Sequence, residues 1–292
     1  MKIAILGPTA SGKSALATAV ARRIGGTVVN GDPFQSLAGL EIGSGQPVEA
    51  ETDGVPHVGY GVFPLSHRPD PASFGESARH WIAAAVNPVL VTGSGLYLRG
   101  IWDQLSALPP VPEEIADRVR SWSRRLRPPA LYRWLMAVDP VRAAQLHRND
   151  GARIQRALAL HLATGGKASH LLDGIERGVP AGWRALLVLP QREALRRRIE
   201  TRVDAQIAAG WTAEVERLLA AGRGPDLEAL RPLGYADWMR GGDRRSIRTR
   251  IIQATQAYAK RQVTFFRNQW PGIPVWDPDC ASIPAAAELL GL

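Results

Sequence analysis

Gly7-Pro8-Thr9-Ala10-Ser11-Gly12-Lys13-Ser14 is the stretch from which the fold is read. Its spacing is G-x-x-x-x-G-K-[ST], a loop in which glycines let successive backbone N–H groups converge on one anion. The apolar run Lys2–Leu6 before it reads as a buried strand, and Lys13–Ile24 after it reads as a helix. The helix therefore begins at the loop and adds its unpaired N–H groups and positive dipole end. Lys13 brings a full positive charge, and the Ser14 hydroxyl is placed to ligate a Mg²⁺ that bridges phosphate oxygens. A phosphate or diphosphate site over Gly7–Ser14 follows, comprising Gly7, Pro8, Thr9, Ala10, Ser11, Gly12, Lys13 and Ser14.

Further strands are expected at Thr27–Asn30, Pro88–Thr92 and Ala185–Leu189, with a helix over Ser73–Val86 capped by Ser73. Strands alternating with helices predict a parallel, doubly wound sheet. After the proline-rich Leu108–Pro112 the pattern changes. Glu113–Leu126, Pro129–Val138, Val141–Leu146 and Ala152–Thr164 read as short helices. The expected organisation is an α/β core begun by residues 1–108, a helical insertion over 109–182, and the rest of the core with basic C-terminal helices over 183–292. Those helices are Arg192–Ala209, Thr212–Ala221 and a long one over Ser246–Gln269.

The 292 residues carry a net charge of +9, and 45% are hydrophobic, enough to bury a sizeable core. Such a basic balance favours a polyanionic partner, nucleic acid first. The single cysteine, Cys280, excludes an intrachain disulfide framework and a Cys-rich zinc site. The N-terminal apolar run is short and is broken at once by Gly7 and Pro8, and no stretch approaches membrane-spanning length. A soluble cytoplasmic protein, monomeric and without a membrane partner, is expected.

Beyond the loop, several segments occur in a telling order: Asn30-Gly31-Asp32-Pro33-Phe34-Gln35, Glu41-Ile42-Gly43-Ser44-Gly45-Gln46-Pro47, Gly54-Val55-Pro56-His57, and Thr92-Gly93-Ser94-Gly95-Leu96-Tyr97. Val138-Asp139-Pro140, the run Asn149 to Leu158, Leu233-Gly234-Tyr235, and Tyr258 to Arg267 follow. Together with the loop they resemble the tRNA dimethylallyltransferase (isopentenyl-tRNA transferase) family over nearly the whole chain. The resemblance implies a P-loop NTPase-like parallel sheet core and transfer of a prenyl group from dimethylallyl diphosphate to an adenosine beside the tRNA anticodon, with Mg²⁺ as cofactor. It makes Asp32 the general base for the adenine N6 amine, with Lys13 and Thr9 acting on the departing diphosphate. Arg202, in an R-I-x-x-R pattern, would reach that diphosphate from another side, as would Arg198 four residues before it. Contacts to the tRNA anticodon stem-loop are implied for Asp32, Pro33, Phe34, Gln35, Ser94, Arg118, Arg153, Arg156, Arg231, Gly234 and Tyr235.

The chain departs from the family pattern at Pro33, where Ser is usual, at Ser94 for Thr, and at Val58 for a second His. A P-loop small-molecule kinase would share Lys13 and Ser14, but it needs neither a basic C-terminal helix nor an insertion bearing Arg153 and Arg156.

Overall fold

The structure, a computed structural model, describes residues 1–105, 109–126, 128–171 and 178–292. It divides into two compact units, residues 1–103 with 177–292 and residues 104–176. These limits differ by a few residues from those read from the sequence. Trp102 is buried edge-on against Trp183 and Trp270, and Val179 packs on the same cluster, so both flanks belong to the α/β unit.

In the α/β unit, β1 (Lys2–Leu6) leads through the glycine loop into α1 (Lys13–Ile24), and β2 (Val28–Asn30) follows. Two single-turn helices, α2 (Glu41–Ser44) and α3 (Glu49–Thr52), precede β3 (His57–Val58). Then come α4 (Pro71–Ala84), β4 (Val89–Thr92) and α5 (Gly95–Ile101). The cap of α4 is Asp70, not Ser73: its carboxylate accepts the Ala72 and Ser73 N–H groups at 2.9 and 3.1 Å, and Pro71 takes the first helical position.

The helical unit holds α6 (Glu113–Arg125), α7 (Pro128–Val138), α8 (Pro140–Ala144), α9 (Gly151–Thr164) and α10 (Ala168–Leu171). Its core is built by Leu131, Leu135, Ile154, Leu158 and Leu160. Asp139 is fully buried there, capping α8 through the Arg142 N–H at 2.9 Å and holding the Ser169 N–H at 2.8 Å.

The α/β unit resumes with β5 (Trp183–Val188), α11 (Arg192–Ala208), α12 (Trp211–Ala220), α13 (Gly224–Leu230), α14 (Tyr235–Met239), α15 (Arg244–Gln269), β6 (Val275–Trp276) and α16 (Ile283–Leu289). The six strands form one parallel sheet in the order β3-β2-β4-β1-β5-β6. Strand alternation splits β1 between two cores. Ile3 and Ile5 pack with α1 and α16, while Ala4 and Leu6 pack with α4, α5 and the end of α15. Burial on both faces explains why β1, β4 and β5 read as nearly continuous apolar runs. Each fully buried Ile or Leu contributes roughly 1.5–3 kcal/mol, so this double-sided packing fixes the strand ends from which the loops emerge.

Candidate active site

Three loops leave the carboxyl ends of neighbouring strands: Gly7 after β1, Asp32 after β2 and Ser94 after β4. Ligands of parallel sheets bind at this edge. The glycine loop is built tightly. A Cβ on Gly7 would lie 2.5 Å from the Val188 carbonyl oxygen, and Gly12 takes a left-handed φ of 90° to start α1. The Ser11 hydroxyl is buried within the loop and has no partner, so the loop holds a polar group suited to an anion's oxygens. Gln262 of α15 clamps the loop from the side. Its Oε1 accepts the Thr9 N–H at 2.9 Å and its amide donates to the Gly93 carbonyl at 2.9 Å.

Asp32 is fixed by Asn30, which is fully buried. The Asn30 side chain accepts the Asp32 N–H at 2.8 Å and donates to the Asp32 and Gly59 carbonyls at 2.9 and 2.8 Å. The carboxylate itself accepts from the Phe34 N–H at 3.0 Å and the Ser94 hydroxyl at 3.3 Å. Ser94 in turn is held by Thr92, whose hydroxyl accepts the Ser94 N–H at 3.0 Å. Burial raises the Asp32 pKa above the usual carboxylate range, against the opposing pull of Lys13 and of these hydrogen bonds. Lys13, donating to the Pro8 carbonyl, is pushed down to about 8, first by burial and then by Arg202, while Asp32 pulls it back up. Arg202 feels Asp32 and Glu51 in the same way, its pKa lowered by burial. A base and two cations therefore share one electrostatic field, as a site for acid–base chemistry on an anion requires.

A cavity of about 690 Å³ adjoins the loop, lined by Ser14, Gln35, Glu51, Tyr60 and Arg202, with Ile42, Pro47 and Val48 adding apolar surface. Asp32 is not among its lining residues, but its charge acts on Arg202 and Tyr60, which are. A shallower recess of about 440 Å³ beside Ala10 and Gly12 is lined by Arg197, Arg198 and Arg202. Arg198 there is ion-paired with Asp279. A larger cavity of about 820 Å³, between α11 and α15, contains none of these loop residues; Arg192, Arg196, Lys260 and Arg267 line it. Sequence reasoning gave no role to Asn30, Tyr60, Tyr97 or Gln262 here. Burial raises the Tyr60 and Tyr97 phenols, and pushes Tyr258 up to about 12, each with Asp32 adding to the shift.

Other expected contacts are placed differently. Pro33 is buried and opens the turn Phe34–Ser36, accepting the Ser36 hydroxyl at 2.6 Å. Gln35 gives both amide hydrogens to backbone, the Ser44 and Gly45 carbonyls at 3.1 and 2.8 Å, so only its Oε1 remains to read a base. Tyr235 is 1% exposed and donates to Glu214 at 2.6 Å; it is a core residue, not an RNA-facing one. Gly234 is also buried, under Trp211, whose ring would lie 2.3 Å from an added Cβ. Arg231 is exposed. In the helical unit Arg118, Arg153 and Arg156 are exposed, the last two on the face of α9 opposite Ile154 and Leu158. His57 lies in β3 with Nδ1 2.8 Å from the Val55 carbonyl oxygen, and Val58 packs against the core. No cluster of three or more His, Cys, Asp or Glu able to hold a metal occurs among the described residues. Nor is any described helix long and apolar enough to cross a membrane.

Residues 35–269 match the family model of the IPP transferases, and residues 1–59 match that of the isopentenyl transferases. The chain belongs to the IPP transferase family. Among IPP transferases it is 40% identical to the tRNA dimethylallyltransferase of Rhodospirillum centenum over 285 residues, covering 94% of this chain and 91% of the relative. It is 38% identical to that of Halorhodospira halophila, with 93% and 91% covered. The crystal structure of the tRNA isopentenylpyrophosphate transferase from Bacillus halodurans matches with a TM-score of 0.68 at 27% identity, covering 99% of this chain and 94% of that one. A eukaryotic dimethylallyltransferase acting on tRNA shares the fold, with a TM-score of 0.75 at 23% identity over 94% of this chain and 73% of that one.

Proposed function

We propose that this IPP transferase prenylates tRNA, moving a dimethylallyl group from dimethylallyl diphosphate to N6 of the adenosine 3′ of the anticodon (adenosine 37). The observation that carries the reading is the placement of Lys13 after β1 and Asp32 after β2, two strands that flank β4, with each charge acting on the other. A phosphoryl-transferring kinase would use the same loop and could also employ a carboxylate base; the family match and the relatives, named tRNA dimethylallyltransferases, favour prenyl transfer.

The adenine amine is a poor nucleophile because its lone pair is delocalised into the ring. Asp32 accepts the N6 proton as the new C–N bond forms and the allylic C–O bond breaks. The electron pair of that bond leaves on the diphosphate, whose growing charge is met by the Thr9–Ser14 amides, the Thr9 hydroxyl, Lys13 and Arg202. The sum is prenyl donor and adenosine giving N6-isopentenyladenosine, diphosphate and a proton. To meet Asp32 the base must be unstacked from the anticodon loop. Ser14 is exposed and lines the cavity, where its hydroxyl would help to hold a Mg²⁺ carried in on the phosphates. When bound, that ion would neutralise diphosphate charge. The same reading has the enzyme working as a cytoplasmic monomer, where its tRNA substrate is found.

Incubation with labelled dimethylallyl diphosphate, Mg²⁺ and either tRNA, AMP or ATP tests the proposal. Label on tRNA alone is expected. Label on a free nucleotide, or none on tRNA, refutes it.

A further inference from the structure

Gly234 and Tyr235 are buried, and the contacts of Tyr235 lead back to the active site. Its hydroxyl donates to Glu214 Oε1 at 2.6 Å. Glu214 is 4% exposed, and it also accepts the Gly43 N–H at Oε1, 3.0 Å, and the Ile42 N–H at Oε2, 2.7 Å. Three donors thus converge on one carboxylate. Gln206 of α11 holds the same two residues by their carbonyls, donating to those of Ile42 and Gly43 at 2.7 and 3.1 Å. Gly43 has no room for a side chain: an added Cβ would meet Trp211 Nε1 at 2.3 Å and the Tyr235 hydroxyl at 2.4 Å.

The next two peptides serve the site. The Ser44 and Gly45 carbonyls accept the Gln35 amide, and the Ser44 carbonyl accepts Arg202 at 3.3 Å. Arg202 also lies so close to Gly45 that a Cβ there would be 2.0 Å from its Nη2. Segment 42–45 is therefore gripped at one end by Glu214 and Gln206 and, at the other, sets where Arg202 and Gln35 sit. Both of those side chains line the 690 Å³ cavity beside Ser14.

We infer that Glu214, backed by Tyr235, is a positioning residue that aligns Arg202 with the diphosphate through the 42–45 turn. The inference rests on the diphosphate reading of that cavity. Glutamine at 214 would present an N–H₂ group to at least one of the three donors, loosening the turn without changing the volume of the side chain. Phenylalanine at 235 removes one bond and leaves both backbone bonds.

The test is a double-mutant cycle on inorganic diphosphate binding with Mg²⁺, measured by calorimetry for the wild type, Glu214→Gln, Tyr235→Phe, Arg202→Ala and the pair Glu214→Gln with Arg202→Ala. Glu214→Gln is expected to weaken binding about tenfold and Tyr235→Phe about threefold, while the pair binds no more weakly than Arg202→Ala alone. Faster amide exchange at Ile42 and Gly43 in both single variants is expected alongside. Unchanged affinity in Glu214→Gln, or the same tenfold loss on top of Arg202→Ala, overturns the inference. Should Glu214→Gln not fold, Tyr235→Phe carries the comparison, and unchanged affinity with unchanged exchange there overturns it equally. Wild-type protein that binds diphosphate but transfers no prenyl group to tRNA would refute the functional proposal and leave this inference standing.

Discussion

Lys13 is the residue whose charge the site makes most sensitive to pH. Its ammonium is needed to hold diphosphate, and burial has brought its pKa down to about 8. As pH rises through that value in the free enzyme, the cation is lost. The expected kcat/KM profile therefore falls on the alkaline side with an apparent pKa near 8. Bound diphosphate favours the ammonium, so the same limb in kcat should lie higher. Coincident limbs in the two profiles would contradict this. On the acid side the raised Asp32 must be ionised, so kcat/KM should rise through a pKa above the ordinary carboxylate value. Lys13 and Ser14 were legible in the loop spacing, and Asp32 was singled out only through the family resemblance of the segments around it. The clamp residue Asn30 was not, because its role depends on the Gly59 carbonyl, 29 residues away. Tyr235 was misread, since a motif residue and a core residue look alike without knowledge of what packs on it.

Helix α15 is the element that ties the site together. Its buried face runs Ile251, Thr255, Ala259, Gln262, Phe266, a helical stripe in which Gln262, only 6% exposed, is the large polar member. That interruption is a signal the sequence offered: a glutamine in an apolar stripe needs partners, and here they are Thr9 and Gly93. Gln262→Ala should free the glycine loop from the Ser94 loop and lower kcat by roughly tenfold or more, since small misplacements of reacting groups are expensive. A kcat within twofold of wild type would show that the clamp has no part in catalysis. In the helical unit, Asp139→Ala removes the acceptor of the buried Ser169 N–H together with the cap of α8 and should destabilise that unit by about 1–3 kcal/mol, read as an earlier unfolding transition. The central strands and long helices were readable from periodicity. The edge strands β3 and β6 were not, because two residues carry no period.

At the scale of the whole molecule, the charge of +9 matters only through cations free to meet RNA. Arg248 is doubly bonded to Asp204, and Arg250 is held by Asp237 and the Gly241 carbonyl, so neither is a free phosphate contact on α15. Arg156 is exposed on α9. Arg156→Ala should weaken tRNA binding and reduce the slope of log affinity against log salt by about 1, whereas Arg248→Ala should leave the slope unchanged. Equal slopes for wild type and Arg156→Ala would remove that contact. The central claim, that one carboxylate readies the adenine while the glycine loop receives the diphosphate, is tested most directly by single-turnover transfer from dimethylallyl diphosphate to tRNA in Asp32→Asn. The account predicts a rate lowered about 10²–10⁴-fold with tRNA affinity within about threefold of wild type. Transfer at the wild-type rate would contradict it.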